Sequence, residues 1–211
     1  MKIKHHTIIV LGDSLAQGFH DEHKGGWVEE LKTHFMEDGI VSVFNLSVSG
    51  FTTEDILMLI KRGELESRMK GGFGKNVMFV VAVGSNDAGL HGMGRPVIEE
   101  EKFESNLKAI IQSLEAEAYK YAYQSDIMFL GLTEVDETRS CPVEWDKDLF
   151  YENRRIRRYD DIIGRVALNT KKPFIALIGA MPTPWWSDGV HWLPPVHRAV
   201  YSKVLGAIKN F

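Results

Sequence analysis

Short apolar runs alternate with longer amphipathic stretches along this chain, the pattern of a parallel sheet covered by helices on both faces. Strands are expected near residues 7–11, 41–47, 77–83, 126–132 and 174–178. Between them, Trp27, Leu31 and Phe35 repeat at i, i+4, i+8 in a helix expected over 26–38 that stops at Gly39. A second helix starts near Thr53 with Ile56, Leu59 and Ile60, and a third over 99–119 places Phe103, Leu107, Ile110, Ile111 and Leu114 on one face. Two more run from about 149 to 169 and from about 195 to 209. Five parallel strands joined by helical crossovers give an α/β fold, a flavodoxin-like three-layer α/β/α sandwich with strand order 2-1-3-4-5. With 211 residues, the chain is read as a single domain over 1–211.

In such sheets ligands bind outside the carboxyl ends of the strands. Four segments at that edge carry chemistry. Gly12-Asp13-Ser14-Leu15 follows the run Ile8 to Leu11, and Gly50 ends Asn45-Leu46-Ser47-Val48-Ser49-Gly50. Asn86 lies in Gly84-Ser85-Asn86-Asp87 after Val77 to Val83, and Asp188-Gly189-Val190-His191 follows Phe174 to Ile178. A serine hydroxyl becomes a useful nucleophile when an imidazole takes its proton and a carboxylate holds that imidazole in the right tautomer. Ser14, His191 and Asp188 fit these roles. The Ser14 N–H, the Gly50 N–H and the Asn86 amide could converge where negative charge develops. Gly50 suits its position because it lacks a Cβ and adopts positive φ without strain.

These blocks resemble the SGNH hydrolases, also called GDSL esterases and lipases, whose four letters match Ser14, Gly50, Asn86 and His191 in order, with Asp188 three residues before the histidine. The resemblance spans positions 8 to 191 and implies the SGNH hydrolase fold and a GDSL-type serine hydrolase acting on ester bonds. It also implies a catalytic triad of Ser14, Asp188 and His191 and an oxyanion hole of Ser14, Gly50 and Asn86. No cofactor and no metal are expected. One departure concerns the last block: family members often continue as His-Pro-Asn, whereas this chain reads His191-Trp192-Leu193-Pro194-Pro195. Gly-x-Ser-x-Gly is absent, so the nucleophile elbow of the α/β-hydrolases is not indicated.

The expected activity is hydrolysis of carboxylic esters of short or compact acyl groups through an acyl-enzyme on Ser14. A thioesterase or a carbohydrate O-deacetylase of the same family is the alternative. From a different class, a non-catalytic flavodoxin-like protein binding an anion or nucleotide is disfavoured. The chain has no G-x-x-x-x-G-K-[ST], and Gly92-Met93-Gly94-Arg95-Pro96-Val97 fails the dinucleotide pattern.

Other residues are read more plainly. Asp13 is assigned to the N–H groups of its own loop and Asp87 to structure. His197 is placed on the exposed side of the last helix, and His20-Asp21-Glu22-His23 is read as solvated loop, since H-x-x-H without a third placed ligand is weak evidence for a metal. Trp185, Trp186 and Trp192 bracket the Asp188–His191 block and are read either as pocket wall or as packing. Residues 88–97 and 133–148 are expected to be loops over the site.

Composition narrows the partners. The net charge of −4 gives no footprint for nucleic acid, and the dense basic cluster Arg154, Arg155, Arg157 and Arg158 reads as a solvated helix face. Cys141 is the only cysteine, so no intrachain disulfide forms. The start of the chain lacks an apolar signal-peptide core, which makes the cytoplasm the expected location. No apolar stretch approaches the ~20 residues needed to span a bilayer. The expected partner is a small-molecule ester.

Overall fold

Ile8, Ile9, Val10 and Leu11 are all fully buried, Ile9 and Leu11 in one apolar layer and Ile8 and Val10 in the other. Burial on both faces explains why this strand reads as a continuous apolar run. The computed structural model describes residues 4–39, 41–180 and 186–211. Along the chain the elements are β1 (Thr7–Gly12), α1 (Ser14–Gln17), α2 (Gly26–Asp38), β2 (Ser42–Asn45), α3 (Thr53–Lys61), α4 (Glu64–Gly71), β3 (Asn76–Ala82), β4 (Leu90–His91), β5 (Arg95–Pro96), α5 (Glu100–Lys120), β6 (Gln124–Leu130), α6 (Glu137–Ser140), β7 (Leu149–Phe150), α7 (Asn153–Asn169), β8 (Phe174–Ile175) and α8 (Pro194–Lys209).

The main sheet has five strands in the order β2-β1-β3-β6-β8, every neighbouring pair parallel, which is the expected order 2-1-3-4-5 for the strands of this sheet. β3 repeats the two-faced burial of β1. Val77, Phe79 and Val81 face the layer that holds the apolar stripes of α3, α4, α5 and α7, while Met78, Val80 and Ala82 face that of α2 and α8. The periodic residues of the expected helices are the ones buried: Trp27, Leu31 and Phe35 in α2, and Phe103, Leu107, Ile110, Ile111 and Leu114 in α5.

Differences arise where side chains replace the backbone ladder. β2 ends at Asn45 rather than 47, because the Asn45 carboxamide accepts the Ser47 N–H and donates to the Ala16 carbonyl. β8 pairs only Phe174 and Ile175 with β6, fewer residues than the expected 174–178. The expected loop 88–97 supplies β4 and β5 of a small antiparallel sheet of order β5-β4-β7, whose third strand follows the expected loop 133–148; Leu90 pairs with Phe150 and His91 with Leu149. Residues 149–150 therefore belong to a strand, and the helix expected from 149 begins at Asn153.

His197 is not on an exposed side. It is fully buried, because it lies three and seven residues before Val200 and Val204 and shares their inward face. Burial pushes its imidazole below the ordinary histidine range. Arg154, Arg157 and Arg158 are exposed on α7 as expected, Arg157 and Arg158 pairing with Glu134 and Glu100, whereas Arg155 is half-buried and donates to the Ala88 carbonyl and the Tyr159 hydroxyl. Among the described residues, no helix is long and apolar enough to cross a membrane.

Candidate active site

The end of β1 delivers Ser14 directly. Asp13 has extended backbone and caps α1, its Oδ1 accepting the Leu15 N–H at 3.0 Å, so Ser14 is the first helical residue. Its own N–H has no intrahelical acceptor there and is free to face a ligand. The cap is fully buried, and burial raises the Asp13 carboxyl to about 7. Gly12 permits this tight turn, because a Cβ there would lie 2.6 Å from the Ala82 carbonyl oxygen and 2.7 Å from the Ala16 Cβ.

The block after β2 is tied to the same helix. Asn45 holds the Ala16 carbonyl, the Ser49 N–H donates to Gln17 Oε1 at 2.7 Å, and the Val48 N–H donates to the Gly12 carbonyl. Gly50 ends this turn with φ of 82°, in the left-handed region that favours glycine.

After β3, Asp87 clamps the start of α3: its carboxylate accepts the Thr53 N–H at 3.0 Å and the Thr53 hydroxyl at 2.5 Å. Burial raises this carboxyl to about 6 against the pull of the Thr53 bonds. The clamp sets the neighbouring Asn86. The Asn86 Nδ2 donates one hydrogen to the Phe51 carbonyl at 2.9 Å, and Oδ1 accepts from the Tyr151 hydroxyl at 2.8 Å. One amide hydrogen of Asn86 is left for the cavity.

The fourth block is a turn closed by an isolated bridge between Trp186 and Trp192 and by the Ser187 N–H donating to the His191 carbonyl. Asp188 Oδ1 accepts the backbone N–H groups of Val190 and His191 at 3.0 and 2.8 Å. Asp188 Oδ2 meets His191 Nδ1 at 2.7 Å, and His191 Nε2 meets Ser14 Oγ at 2.9 Å. Burial alone would raise the Asp188 carboxyl, but the His191 ring and these two backbone donors hold it well below the usual carboxylate range. The cover loop braces the turn, with Arg139 donating to the Ser187 carbonyl and the Asp136 N–H to the Gly189 carbonyl.

The structure thus brings Ser14, Gly50, Asn86, Asp188 and His191, which come from four separate segments, to the lining of one cavity of about 650 Å³. Its remaining wall is largely apolar: Leu15, Phe19, Trp145, Leu149, Tyr151 and Val190. Phe19 and Trp145 approach the His191 ring, with centroids 4.6 and 5.2 Å away. A hydroxyl bonded to an imidazole, that imidazole bonded to a carboxylate, and amide donors nearby are arranged to attack a carbonyl carbon and hold the oxyanion that results.

Of the two readings of the tryptophans, the structure supports packing and overturns the pocket wall for Trp186 and Trp192. Trp192 does not line this cavity: it is buried in the layer of α2 and α8, and its indole N–H donates to Thr133 Oγ1 at 2.8 Å. Trp186 packs against the same layer, and Trp185 lies outside the described residues. The tryptophan at the mouth is Trp145. The backbone alternates through the bridged turn, so the chain that points His191 at Ser14 turns Trp192 the other way.

Three residues of the site carry no spacing signal. His20 is not merely solvated: its Nε2 lies 3.2 Å from Asp188 Oδ2, a contact between residues 168 apart in the chain. Trp145 sits in a loop of charged residues, and Tyr151 reaches Asn86 only because β7 pairs with β4.

Comparison with known proteins follows the same line. A model of the GDSL-like lipase/acylhydrolase family matches residues 10–199. The esterase TesA of Pseudomonas aeruginosa is 25% identical over 190 residues, covering 88% of this chain and 79% of that protein. An uncharacterised lipoprotein of Bacillus subtilis, YqeF, is 29% identical over 110 residues; the match covers 50% of this chain and only 42% of the lipoprotein. Among solved structures, the lipase/acylhydrolase from Enterococcus faecalis superposes with a TM-score of 0.72 at 22% identity, covering 97% of this chain and 96% of that one, which establishes the shared fold.

Proposed function

This chain belongs to the GDSL-like lipase/acylhydrolase family, and on that premise we propose that Ser14 is its nucleophile, His191 its proton carrier and Asp188 the carboxylate that orients His191. The family makes it a carboxylic ester hydrolase. The observation that carries the residue assignment is the unbroken line of hydrogen bonds from Ser14 Oγ through both nitrogens of His191 to Asp188 Oδ2.

In this reading Ser14 Oγ attacks the acyl carbon of a bound ester while its proton passes to His191 Nε2. The Asp188 carboxylate accepts the Nδ1–H and stabilises the imidazolium that forms. Negative charge moves to the former carbonyl oxygen, which the N–H groups of Ser14 and Gly50 and the free amide hydrogen of Asn86 receive. The bond to the leaving oxygen then breaks, and that oxygen takes the proton from His191 Nε2 as the alcohol departs. Water repeats the sequence on the acyl-enzyme, giving its proton to His191 and releasing the carboxylic acid, and Ser14 recovers its hydrogen.

A cavity of about 650 Å³ with a mainly apolar wall supports a compact ester substrate. The preferred acyl group in this reading is short, because each methylene adds about 0.8 kcal/mol only where the protein covers it. The match over residues 10–199, which reaches every strand of the five-stranded sheet and the site at its edge, supports a single catalytic domain. Rapid mixing with a p-nitrophenyl ester tests the covalent route: an initial burst of p-nitrophenol, with acyl mass on the peptide that contains Ser14, is expected. Acyl mass on another residue contradicts the assignment.

A further inference from the structure

His20 adds a third ligating atom to the Asp188–His191 pair. Its Nε2 lies 3.2 Å from Asp188 Oδ2, the same oxygen that His191 Nδ1 meets at 2.7 Å, and the ligating atoms of the three residues all lie within 4.8 Å of one another. Two neutral imidazoles and one carboxylate are a known zinc-binding set, which leaves a fourth position for water. Bonds of roughly 2.0–2.1 Å in a tetrahedral site ask for ligand separations of about 3.4 Å. Two of the three separations, 3.2 and 2.7 Å, fall within about 0.7 Å of that value, and the third, between His20 and His191, is no more than 4.8 Å, so side chains must shift for all three to close on one ion.

The cluster is also reachable. The His20 side chain is 39% exposed, and His20, Asp188 and His191 line one open cavity. His20 holds a left-handed backbone, φ 67°, a conformation that a residue other than glycine rarely adopts. In that conformation its ring sits on the Phe19 edge, with centroids 4.5 Å apart, and aims Nε2 at Asp188.

We propose that His20, Asp188 and His191 form an inhibitory site for Zn²⁺ and similar borderline transition-metal ions. The inference rests on the reading of His191 as the proton carrier. An ion held by His20 Nε2, Asp188 Oδ2 and His191 Nδ1 takes the Nδ1 lone pair of His191. The single ring proton of the neutral imidazole then resides on Nε2. An Nε2 that carries a hydrogen cannot accept the Ser14 proton, so the nucleophile is not activated, and removal of the ion restores the Nδ1–H tautomer. No proton is gained or lost by the ring. Hard ions such as Mg²⁺ prefer oxygen ligands and hold poorly to this set.

The test follows ester hydrolysis against added Zn²⁺ or Mg²⁺, with reversal by EDTA, in the wild-type chain and in His20→Asn. Asparagine tolerates the left-handed backbone. Direct binding of Zn²⁺ is measured by calorimetry on both and on Ser14→Ala, and the absorption of bound Co²⁺ reports its ligands independently of activity. Zn²⁺ should inhibit the wild type reversibly, Mg²⁺ should not, and His20→Asn should need at least 10-fold more Zn²⁺ for the same inhibition. Ser14→Ala should bind one Zn²⁺ as the wild type does. Equal inhibition of the wild type and a normally folded His20→Asn, or no stoichiometric binding to Ser14→Ala, overturns the proposal. Should His20→Asn not fold, Co²⁺ bands lacking imidazole ligation in Ser14→Ala would overturn it equally. One Zn²⁺ bound through His20 to a chain with no esterase activity would leave the metal site standing and remove the catalytic reading instead.

Discussion

The Tyr151 hydroxyl donates to Asn86 Oδ1 at 2.8 Å, and this one bond decides which end of the Asn86 amide faces the cavity. Burial pushes the Tyr151 hydroxyl above its ordinary range, which favours the protonated form that donates this bond. With Oδ1 taken by Tyr151 and one Nδ2 hydrogen taken by Phe51, the other Nδ2 hydrogen is left to face the cavity, where the proposed mechanism puts the oxyanion.

Two substitutions separate positioning from contact. Asn86→Ala should lower kcat by about 10²- to 10³-fold with a small change in KM, as for other single oxyanion donors. Tyr151→Phe removes the bond that orients the amide, worth about 0.5–1.5 kcal/mol, and should lower kcat by roughly 2- to 13-fold. Steady-state kinetics on a p-nitrophenyl ester measures both. A change confined to KM in either variant means that the amide binds substrate and does not stabilise the transition state.

Gly50 supports a different prediction. A Cβ at this position would meet nothing within 4 Å, so Gly50→Ala introduces no clash and its cost is that of a left-handed alanine, about 1–2 kcal/mol. For a chain of this size that is a fall in Tm of roughly 2–8 °C. If alanine relaxes the backbone, the Gly50 N–H turns away from the oxyanion and kcat drops. Unchanged Tm and kcat together would show that positive φ at 50 is not needed.

The buried cap of the loop that carries Ser14 makes stability depend on pH. Asp13 ionises at about 7 in the folded chain, raised by burial, against a reference value of 3.8. Between those values the folded state binds more protons than the unfolded one, so the Asp13 contribution is fully present below about pH 4 and is lost as pH rises through about 7. Asp13→Asn keeps an oxygen for the Leu15 N–H and removes the titration. Thermal melts from pH 4 to 8 should show the variant gaining on the wild type as pH rises. Parallel pH curves for the two chains would contradict a buried, proton-binding Asp13.

The chemistry and the sheet are legible in the residues because both follow from local pattern. β1, β3 and β6 are apolar runs buried on two faces, and each block of the site follows a strand of that sheet. What escapes is set by contacts between distant segments. β4, β5 and β7 are two residues each, too short for any periodicity, yet their pairing carries Tyr151 to Asn86. The approach of His20 to Asp188 depends on how the loop after α1 folds back. The burial of His197 had a signal, its spacing to Val200 and Val204, which outweighs the usual exposure of a polar side chain near a helix start.

The cavity predicts selectivity. In a series of p-nitrophenyl esters, kcat/KM should be highest for short acyl chains and fall for longer ones, because a space of about 650 Å³ between Phe19, Trp145 and Tyr151 covers a compact group. A maximum at long chains, measured below their aggregation limit, would mean that an apolar channel extends beyond these residues.

Activation of Ser14 by His191 and Asp188 is read out by covalent labelling with a fluorophosphonate, which reacts with an activated serine. The wild-type chain should take up one equivalent, located by mass spectrometry on Ser14, and folded Ser14→Ala and His191→Ala should take up none. Labelling that persists in folded Ser14→Ala, or that leaves Ser14 unmodified in the wild type, would mean that another residue is the activated nucleophile.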